Sequence, residues 1–168
     1  GFGTGLNAFL ALIYSIENNL KVYYDTVELY PLNENIWQGL NYKDYYPTQY
    51  ADYFDQLHLA EYETNNYTAI CNNFYIRKYN CDFVDFIMPA KYNLILYDSF
   101  SPDKVPALWQ NSIFEKLYNS MNENALLTTY CSKGIVKNAL RKAGFKVQRI
   151  KGLSFKHHIL NAVKIRIT

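Results

Sequence analysis

Short runs of apolar residues along the chain predict helices that alternate with strands. A glycine-rich start precedes an apolar run at Phe9–Ile16, which is typical of a short helix, and Val22–Leu29 is a strand rich in valine and tyrosine. Gly144 follows the last predicted helix, where a glycine commonly ends one. Five further strands are predicted at Phe74–Tyr79, Asn93–Tyr97, Ala125–Tyr130, Lys146–Ile150 and Asn161–Ile167. Two later helices are predicted at Ser112–Met121 and Ile135–Ala143.

This order of elements predicts an α/β fold with a doubly wound, Rossmann-like sheet. No helix separates the last two strands, so we expect them to pair antiparallel. Residues 33–66 are polar and aromatic, with helices predicted near Asn35–Leu40 and Thr48–Glu61. We interpret them as an insertion that covers one face of the sheet and is not part of its core. A length of 168 residues predicts one domain, residues 1–168.

Composition excludes several classes of protein. An apolar fraction of 49% with 19% charged residues excludes a disordered chain, and no apolar stretch is long enough to cross a bilayer. The first residues lack the features of a secretory signal, so a cytoplasmic location is expected. Cys71, Cys81 and Cys131 have spacings that match neither a zinc site nor a redox pair, so free thiols and no metal are predicted.

Charge is divided unequally along the chain. Residues 1–100 carry 12 acidic and 5 basic side chains, whereas residues 101–168 carry 3 acidic and 12 basic ones. This asymmetry favours a polyanionic partner such as RNA, although solvated surfaces that balance each other remain an alternative. From Lys133 to the end there is no carboxylate side chain, and ten basic residues occur: Lys133, Lys137, Arg141, Lys142, Lys146, Arg149, Lys151, Lys156, Lys164 and Arg166.

The first seven residues, GFGTGLN, form a glycine loop that opens a helix. Glycines let a ligand approach the backbone, whose free amides then face it. Leu6 occupies a position where dinucleotide sites need a small residue, which argues against NAD. Glu28 ends the next strand, where a carboxylate can accept hydrogen bonds from both ribose hydroxyls; a tight turn and a solvated strand end are the structural alternatives. The predicted cofactor contacts in the loop are Gly1, Phe2, Gly3, Thr4, Gly5 and Asn7.

A second acidic position follows the Phe74–Tyr79 strand. Asp82 could accept a hydrogen bond from an adenine amino group while Phe83 covers the ring, or it could cap a helix N-terminus. S-adenosylmethionine carries no phosphate, so it needs neither a basic clamp nor a metal. We therefore expect this sulfonium cofactor.

A third carboxylate follows the apolar strand that ends at Tyr97. The segment Asp98–Pro102, DSFSP, continues neither a strand nor a helix, which directs Asp98 into the ligand crevice. There it could accept a hydrogen bond from an amine, with Phe100 excluding water, which suits N-methylation. An Asx turn that caps the loop is the alternative. Trp109 is interpreted as a packing anchor and not as a stacking platform.

Five segments together resemble the tRNA 5-methylaminomethyl-2-thiouridine methyltransferases, the MnmC-like family, in its stand-alone form. They are GFGTGLN at Gly1–Asn7, ELYPL at Glu28–Leu32, DSFSPDK at Asp98–Lys104, PALW at Pro106–Trp109 and TYCSKG at Thr129–Gly134. The resemblance implies methyl transfer from S-adenosylmethionine to the amine of 5-aminomethyl-2-thiouridine at the tRNA wobble position. It also implies that Asp98 holds that amine and that the basic run binds the anticodon stem. The implied substrate contacts are Phe100, Pro102, Lys133 and Lys156.

Two departures from the family pattern carry expectations of their own. Family members have an acidic residue and a central strand before the glycine loop, so the sequence is interpreted as truncated at its N-terminus, with six strands instead of seven. In Phe155–Ile159, FKHHI, histidines 157 and 158 stand where the family has arginine and glutamate. A small-molecule amine methyl or aminopropyl transferase, or a non-catalytic RNA-binding remnant, remain alternative functions.

Overall fold

The computed structural model describes residues 1–152 and 158–165. The chain divides into two compact units, one formed by Gly1–Phe86 and one that begins at Ile87. Each unit has its own sheet and its own helices. The prediction of a single domain stays a prediction.

The first unit has a three-stranded sheet with helices packed on it. Its elements are α1 (Leu6–Glu17), β1 (Val22–Val27), α2 (Glu34–Trp37), α3 (Ala51–Leu59), β2 (Thr68–Cys71) and β3 (Phe74–Tyr79). The strand order is β1-β3-β2. β1 runs parallel to β3, with Val22 opposite Phe74, whereas β2 and β3 form an antiparallel hairpin.

The core of this unit forms where α1 and α3 cover one face of the sheet. Phe9 and Leu12 of α1 are fully buried because they lie on one face of the helix. Phe54 and Leu57 of α3 are buried to the same degree and belong to the same cluster. The interpretation of residues 33–66 as a cover outside the core is therefore wrong for α3, since its apolar face supplies part of that core.

The second unit has a four-stranded sheet in the order β4-β5-β7-β6. Its elements are β4 (Tyr92–Leu96), α4 (Asn111–Asn119), β5 (Met121–Thr129), α5 (Gly134–Lys142), β6 (Lys146–Lys151) and β7 (His158–Val163). β4 and β5 are parallel, and β7 pairs antiparallel with both β5 and β6. The antiparallel pairing predicted for the last two strands is confirmed. Gly144 ends α5 with a φ of +104°, which a glycine adopts without strain.

All six predicted strands occur, but the described residues contain seven. The prediction of six missed β2, a strand of four residues. These seven strands form two sheets, with β1 at one edge of the first and β4 at one edge of the second. β7 begins three residues before its predicted start because its pairing with β6 reaches back to His158. Among the described residues, no helix is both long and apolar enough to cross a membrane.

Candidate functional site

The glycine loop forms a tight turn at the start of α1. The Phe2 carbonyl accepts a hydrogen bond from the Gly5 amide at 2.9 Å. Gly3 and Gly5 have φ values of +54° and +77°, in the left-handed region that favours glycine. The turn is therefore specified by its glycines, and α1 begins directly after it.

Glu28 lies against this turn, directly after β1. Its Oε2 accepts the Gly3 N–H at 2.9 Å, and its Oε1 accepts the Tyr30 N–H at 3.0 Å. A Cβ on Gly1 would lie 2.9 Å from Glu28 Oε2, so a larger residue at this position would require the Glu28 carboxylate to shift. The structure thus brings together the glycine loop and the carboxylate that the sequence placed at the end of the next strand.

The turn is open beside Gly3, and Glu28 keeps acceptor capacity next to it. A Cβ built on Gly3 would meet no atom within 4 Å, so this side of the turn is open. A carboxylate has about four acceptor positions, so Glu28 can accept further hydrogen bonds besides the two from the backbone. Phe2 differs from its neighbours because its side chain is only 7% exposed and packs into the core. It can therefore meet a ligand only through its backbone.

Two basic residues that are buried or partly buried lie behind the turn, and neither was singled out from the sequence. His58, at the end of α3, has Nε2 3.3 Å from the Thr4 carbonyl oxygen and 2.7 Å from where a Gly5 Cβ would be. Lys78, in β3, is 1% exposed. Burial lowers the pKa of His58 to about 4 and the pKa of Lys78 to about 8.

The lowered pKa of His58 predicts a loss of stability in mild acid. The unfolded chain binds a proton at His58 from about pH 6.5 downward, whereas the folded chain resists protonation until about pH 4. The free energy of unfolding should fall across that window, with His58 accounting for on the order of 1 kcal/mol because solvent screens the partly exposed ring. Urea unfolding at pH 7.5 and pH 5 measures this loss.

Two variants isolate the contribution of His58. His58→Gln should lose less stability than the unmodified chain between the two pH values. His158→Gln, which changes an exposed histidine at the start of β7, should lose as much as the unmodified chain. Equal losses in all three proteins would contradict this assignment.

Asp82 lies in the first unit and caps a turn. Its Oδ1 accepts the Val84 N–H at 2.8 Å, and its carbonyl accepts the Phe86 N–H at 3.1 Å. No helix begins here, so Asp82 does not cap a helix N-terminus as the alternative predicted; its side chain closes a local turn instead. The ring of Phe83 lies 6.2 Å from that of Phe86. Contact of Asp82 and Phe83 with an adenine stays a prediction.

Asp98 lies in the second unit, exposed, two residues after β4. Three aromatic side chains fix the loop that carries it. Tyr130 donates a hydrogen bond from its hydroxyl to the Ser99 carbonyl at 2.9 Å, and Trp109 donates from Nε1 to the Phe100 carbonyl at 2.7 Å. The Tyr97 hydroxyl donates to the Leu108 carbonyl. The loop is thus anchored on both sides of Asp98.

The surroundings of Asp98 combine a polar hydroxyl with an exposed ring. Burial, together with the charges of Cys131 and Asp98, raises the pKa of Tyr130, so Tyr130 stays protonated near neutral pH. Phe100 is 69% exposed, and its role in excluding water from the site stays a prediction. Trp109 is only 3% exposed and packs edge-on against Tyr97, which confirms its interpretation as a packing anchor.

The structure describes two of the three remaining predicted substrate contacts, Lys133 and Pro102. Lys133 forms an ion pair with Asp103, so its ammonium already has an anionic partner. Pro102 lines a cavity of about 560 Å³ in the second unit. Lys156 and His157 lie outside the described residues. The other residues lining the cavity are Pro106, Trp109, Gln110, Asn111, Ser112, Ile135 and Ala139.

The basic segment is largely but not entirely available to a partner. Lys164 is structural, because its Nζ donates to the Tyr118 and Met121 carbonyls, each at 2.9 Å. The exposed basic residues of the described segment are Lys133, Arg141, Lys142, Lys146, Arg149 and Lys151. Cys71, Cys81 and Cys131 form no disulfide bond within the part of the chain that the structure describes, as predicted. Within residues 1–152 and 158–165 no three His, Cys, Asp or Glu side chains could hold a metal ion.

Comparison with known proteins adds a family and a fold. A family model described as S-adenosyl-L-methionine-dependent methyltransferase matches residues 45–165. Two curated relatives are tRNA 5-methylaminomethyl-2-thiouridine biosynthesis bifunctional proteins MnmC. The protein from Campylobacter fetus is 25% identical over 96% of this chain, and that from Ectopseudomonas mendocina is 29% identical over 95%. The chain spans 27% and 25% of the length of these two relatives.

Two solved structures share the fold. MNMC2 from Aquifex aeolicus has a TM-score of 0.74 and 22% identity, covering 99% of this chain and 52% of its own. A methyltransferase from Pyrococcus furiosus has a TM-score of 0.56 and 15% identity, covering 95% of this chain and 70% of its own. The predicted Rossmann-like α/β class is therefore confirmed.

Proposed function

Because this chain belongs to the S-adenosyl-L-methionine-dependent methyltransferases, we propose that it methylates the primary amine of 5-aminomethyl-2-thiouridine at the wobble position of tRNA. Its cofactor is S-adenosylmethionine. One observation carries the choice of substrate: the relatives whose name states this tRNA modification match almost the whole chain.

The glycine turn and Glu28 are the residues that would hold the cofactor. The open side of Gly3 admits a ligand to the backbone, and Glu28 offers acceptors for ribose hydroxyls. When bound, S-adenosylmethionine supplies a methyl group that is attached to a positively charged sulfur. After the transfer, the remainder of the cofactor is a neutral thioether, which is the leaving group. The leaving group needs no acid, so orientation of the amine becomes the main task of the protein.

Asp98 is the group that would orient the amine. An alkylamine with a pKa near about 10.4 is mostly protonated at neutral pH and then has no lone pair to attack with. The exposed Asp98 carboxylate accepts a hydrogen bond from the ammonium and takes its proton, which it then passes to solvent. The freed lone pair forms the bond to the methyl carbon as the bond between that carbon and the donor sulfur breaks. Tyr130 and Trp109 hold the loop in place through the Ser99 and Phe100 carbonyls. Phe100 excludes water from the reacting nitrogen.

The exposed basic residues of the second unit would bind the RNA backbone. Arg141, Lys142 and Lys146 lie at the end of α5 and the start of β6, with no carboxylate after residue 133. Phosphate contacts from such residues give an affinity that falls steeply with salt. We therefore propose the tRNA anticodon stem-loop as the partner of this surface.

The test is transfer of labelled methyl from S-adenosylmethionine to tRNA that carries the unmethylated aminomethyl group. Label should appear in the wobble nucleoside, and tRNA with an unmodified uridine at that position should stay unlabelled. Labelling of polyamines in place of tRNA would favour a small-molecule transferase. Absence of S-adenosylhomocysteine binding in calorimetry, with salt-sensitive tRNA binding retained, would favour a non-catalytic RNA-binding protein.

A further inference from the structure

Lys78 lies beneath the glycine turn and takes no part in the functions described so far. It is the fifth residue of β3, on the buried face that it shares with Phe74 and Ile76. Its Nζ donates hydrogen bonds to the Leu57 carbonyl at 3.2 Å and to the His58 carbonyl at 2.9 Å. The ammonium therefore fixes the C-terminal end of α3, where a cation also meets the negative end of the helix dipole.

The same ammonium contacts the glycine turn through an aromatic ring. Nζ lies 4.6 Å from the centre of the Phe2 ring and 4.2 Å from the centre of the Tyr62 ring. Cations bind aromatic faces more strongly when water is excluded, and Lys78 is 1% exposed. Phe2 is also the residue whose carbonyl closes the turn with the Gly5 amide. Lys78 thus holds the side chain of the residue that closes the turn.

A second connection from Lys78 to the turn passes through His58. The His58 carbonyl accepts a hydrogen bond from Lys78, and the His58 ring lies against Thr4 and Gly5. This ring is stacked on Trp37 with centroids 4.8 Å apart and meets the Phe2 ring edge-on at 5.0 Å. One buried ammonium therefore secures two contacts that support the turn from behind.

We propose that Lys78 is a positioning residue for the methyl donor, holding the glycine turn in the shape that presents its open side at Gly3, and Glu28, to S-adenosylmethionine. This inference rests on the proposal that the turn and Glu28 hold the cofactor. Burying an ammonium is costly, and an apolar side chain of similar length would fill the same space. The ammonium instead binds the Leu57 and His58 carbonyls and the Phe2 ring, which an apolar side chain could not do.

The test compares Lys78→Met with the unmodified chain. Methionine fills a similar volume but donates no hydrogen bond and carries no charge. Affinity for S-adenosylhomocysteine, measured by calorimetry, should fall by about tenfold, because the turn loses the charged hydrogen bonds and the ring contact that support its shape. The KM for S-adenosylmethionine should rise by a similar factor, whereas kcat at saturating donor and the KM for tRNA should stay within about twofold of the unmodified values.

A matched control lies one residue away on the opposite face of β3. Arg77 forms a two-point ion pair with Asp25 of β1, with Nε–Oδ1 at 3.0 Å and Nη2–Oδ2 at 3.1 Å. The double variant Asp25→Asn, Arg77→Met removes a partly buried cation from the same strand without touching the turn. It should lower the melting temperature but leave affinity for S-adenosylhomocysteine within about twofold.

A second variant covers the case in which Lys78→Met fails to fold. Phe2→Leu removes the ring above the ammonium and should weaken S-adenosylhomocysteine binding by a severalfold factor. If Lys78→Met folds and binds as well as the unmodified chain, or if Phe2→Leu does so, the positioning role is refuted. If the unmodified chain itself binds no S-adenosylhomocysteine, the proposed cofactor site fails instead, and the two failures are thereby distinguished.

Discussion

Replacing Asp98 with asparagine is expected to lower kcat for methyl transfer to tRNA by about 10² to 10⁴-fold. Asparagine keeps the size and the loop conformation, but its amide cannot take a proton from the substrate ammonium. The loop should stay in place because Tyr130 and Trp109 hold its backbone carbonyls. Single-turnover transfer of labelled methyl measures the effect, and affinity for S-adenosylhomocysteine should not change.

The neighbouring Asp103 supplies the matched control for this experiment. It is an exposed carboxylate in the same loop and is paired with Lys133. Asp103→Asn removes a negative charge of the same kind, yet it should leave kcat within about threefold, as expected for a group outside the reaction. If Asp98→Asn behaves like Asp103→Asn, Asp98 does not hold the amine.

Replacing Glu28 with glutamine is expected to weaken binding of S-adenosylhomocysteine by about 10- to 150-fold, which corresponds to the roughly 1.5–3 kcal/mol of a hydrogen bond to a charged group. The glutamine oxygen can still accept the Gly3 or the Tyr30 N–H, but the amide nitrogen accepts nothing from a ribose hydroxyl. Calorimetry with S-adenosylhomocysteine measures the change. A fluorescence titration gives an independent value.

Glu63 offers a control carboxylate in the same unit. Its Oε1 accepts the Asn80 N–H at 2.8 Å, and the Asn80 side chain in turn holds the Glu28 carbonyl at 2.8 Å. Glu63→Gln should therefore alter stability slightly and affinity for S-adenosylhomocysteine by no more than about twofold. Unchanged binding in Glu28→Gln would show that the ribose is held elsewhere.

Most elements were predictable because their signals are local. The glycine turn, α1 and the strand before Glu28 each depend on residues within a few positions of one another, and β3 was predicted with its observed limits. β2 was missed because four residues are too few for an alternating pattern to stand out. The core role of α3 was missed because Phe54 and Leu57 lie among polar and aromatic neighbours.

Lys78 could have been noticed from the sequence. In β3, FYIRKY, the two-residue period places Phe74, Ile76 and Lys78 on one face. A lysine on the face of two large apolar residues is unusual and indicates a buried ammonium with partners. What it binds could not be predicted, since Leu57 lies 21 positions away along the chain.

The sequence by itself determined the order of the six predicted strands, the turn that its glycines favour, the carboxylate after the next strand and the charge asymmetry. These follow from backbone sterics and residue chemistry over short distances. Only the tertiary structure decided that Lys78 and His58 support the turn, that Tyr130 and Trp109 anchor the Asp98 loop, and that Lys133 and Lys164 already have partners. Such contacts join residues as far as 54 positions apart along the chain. Local sequence would allow the same donor or charge to bind many different partners, so the partner is chosen only when the whole unit packs.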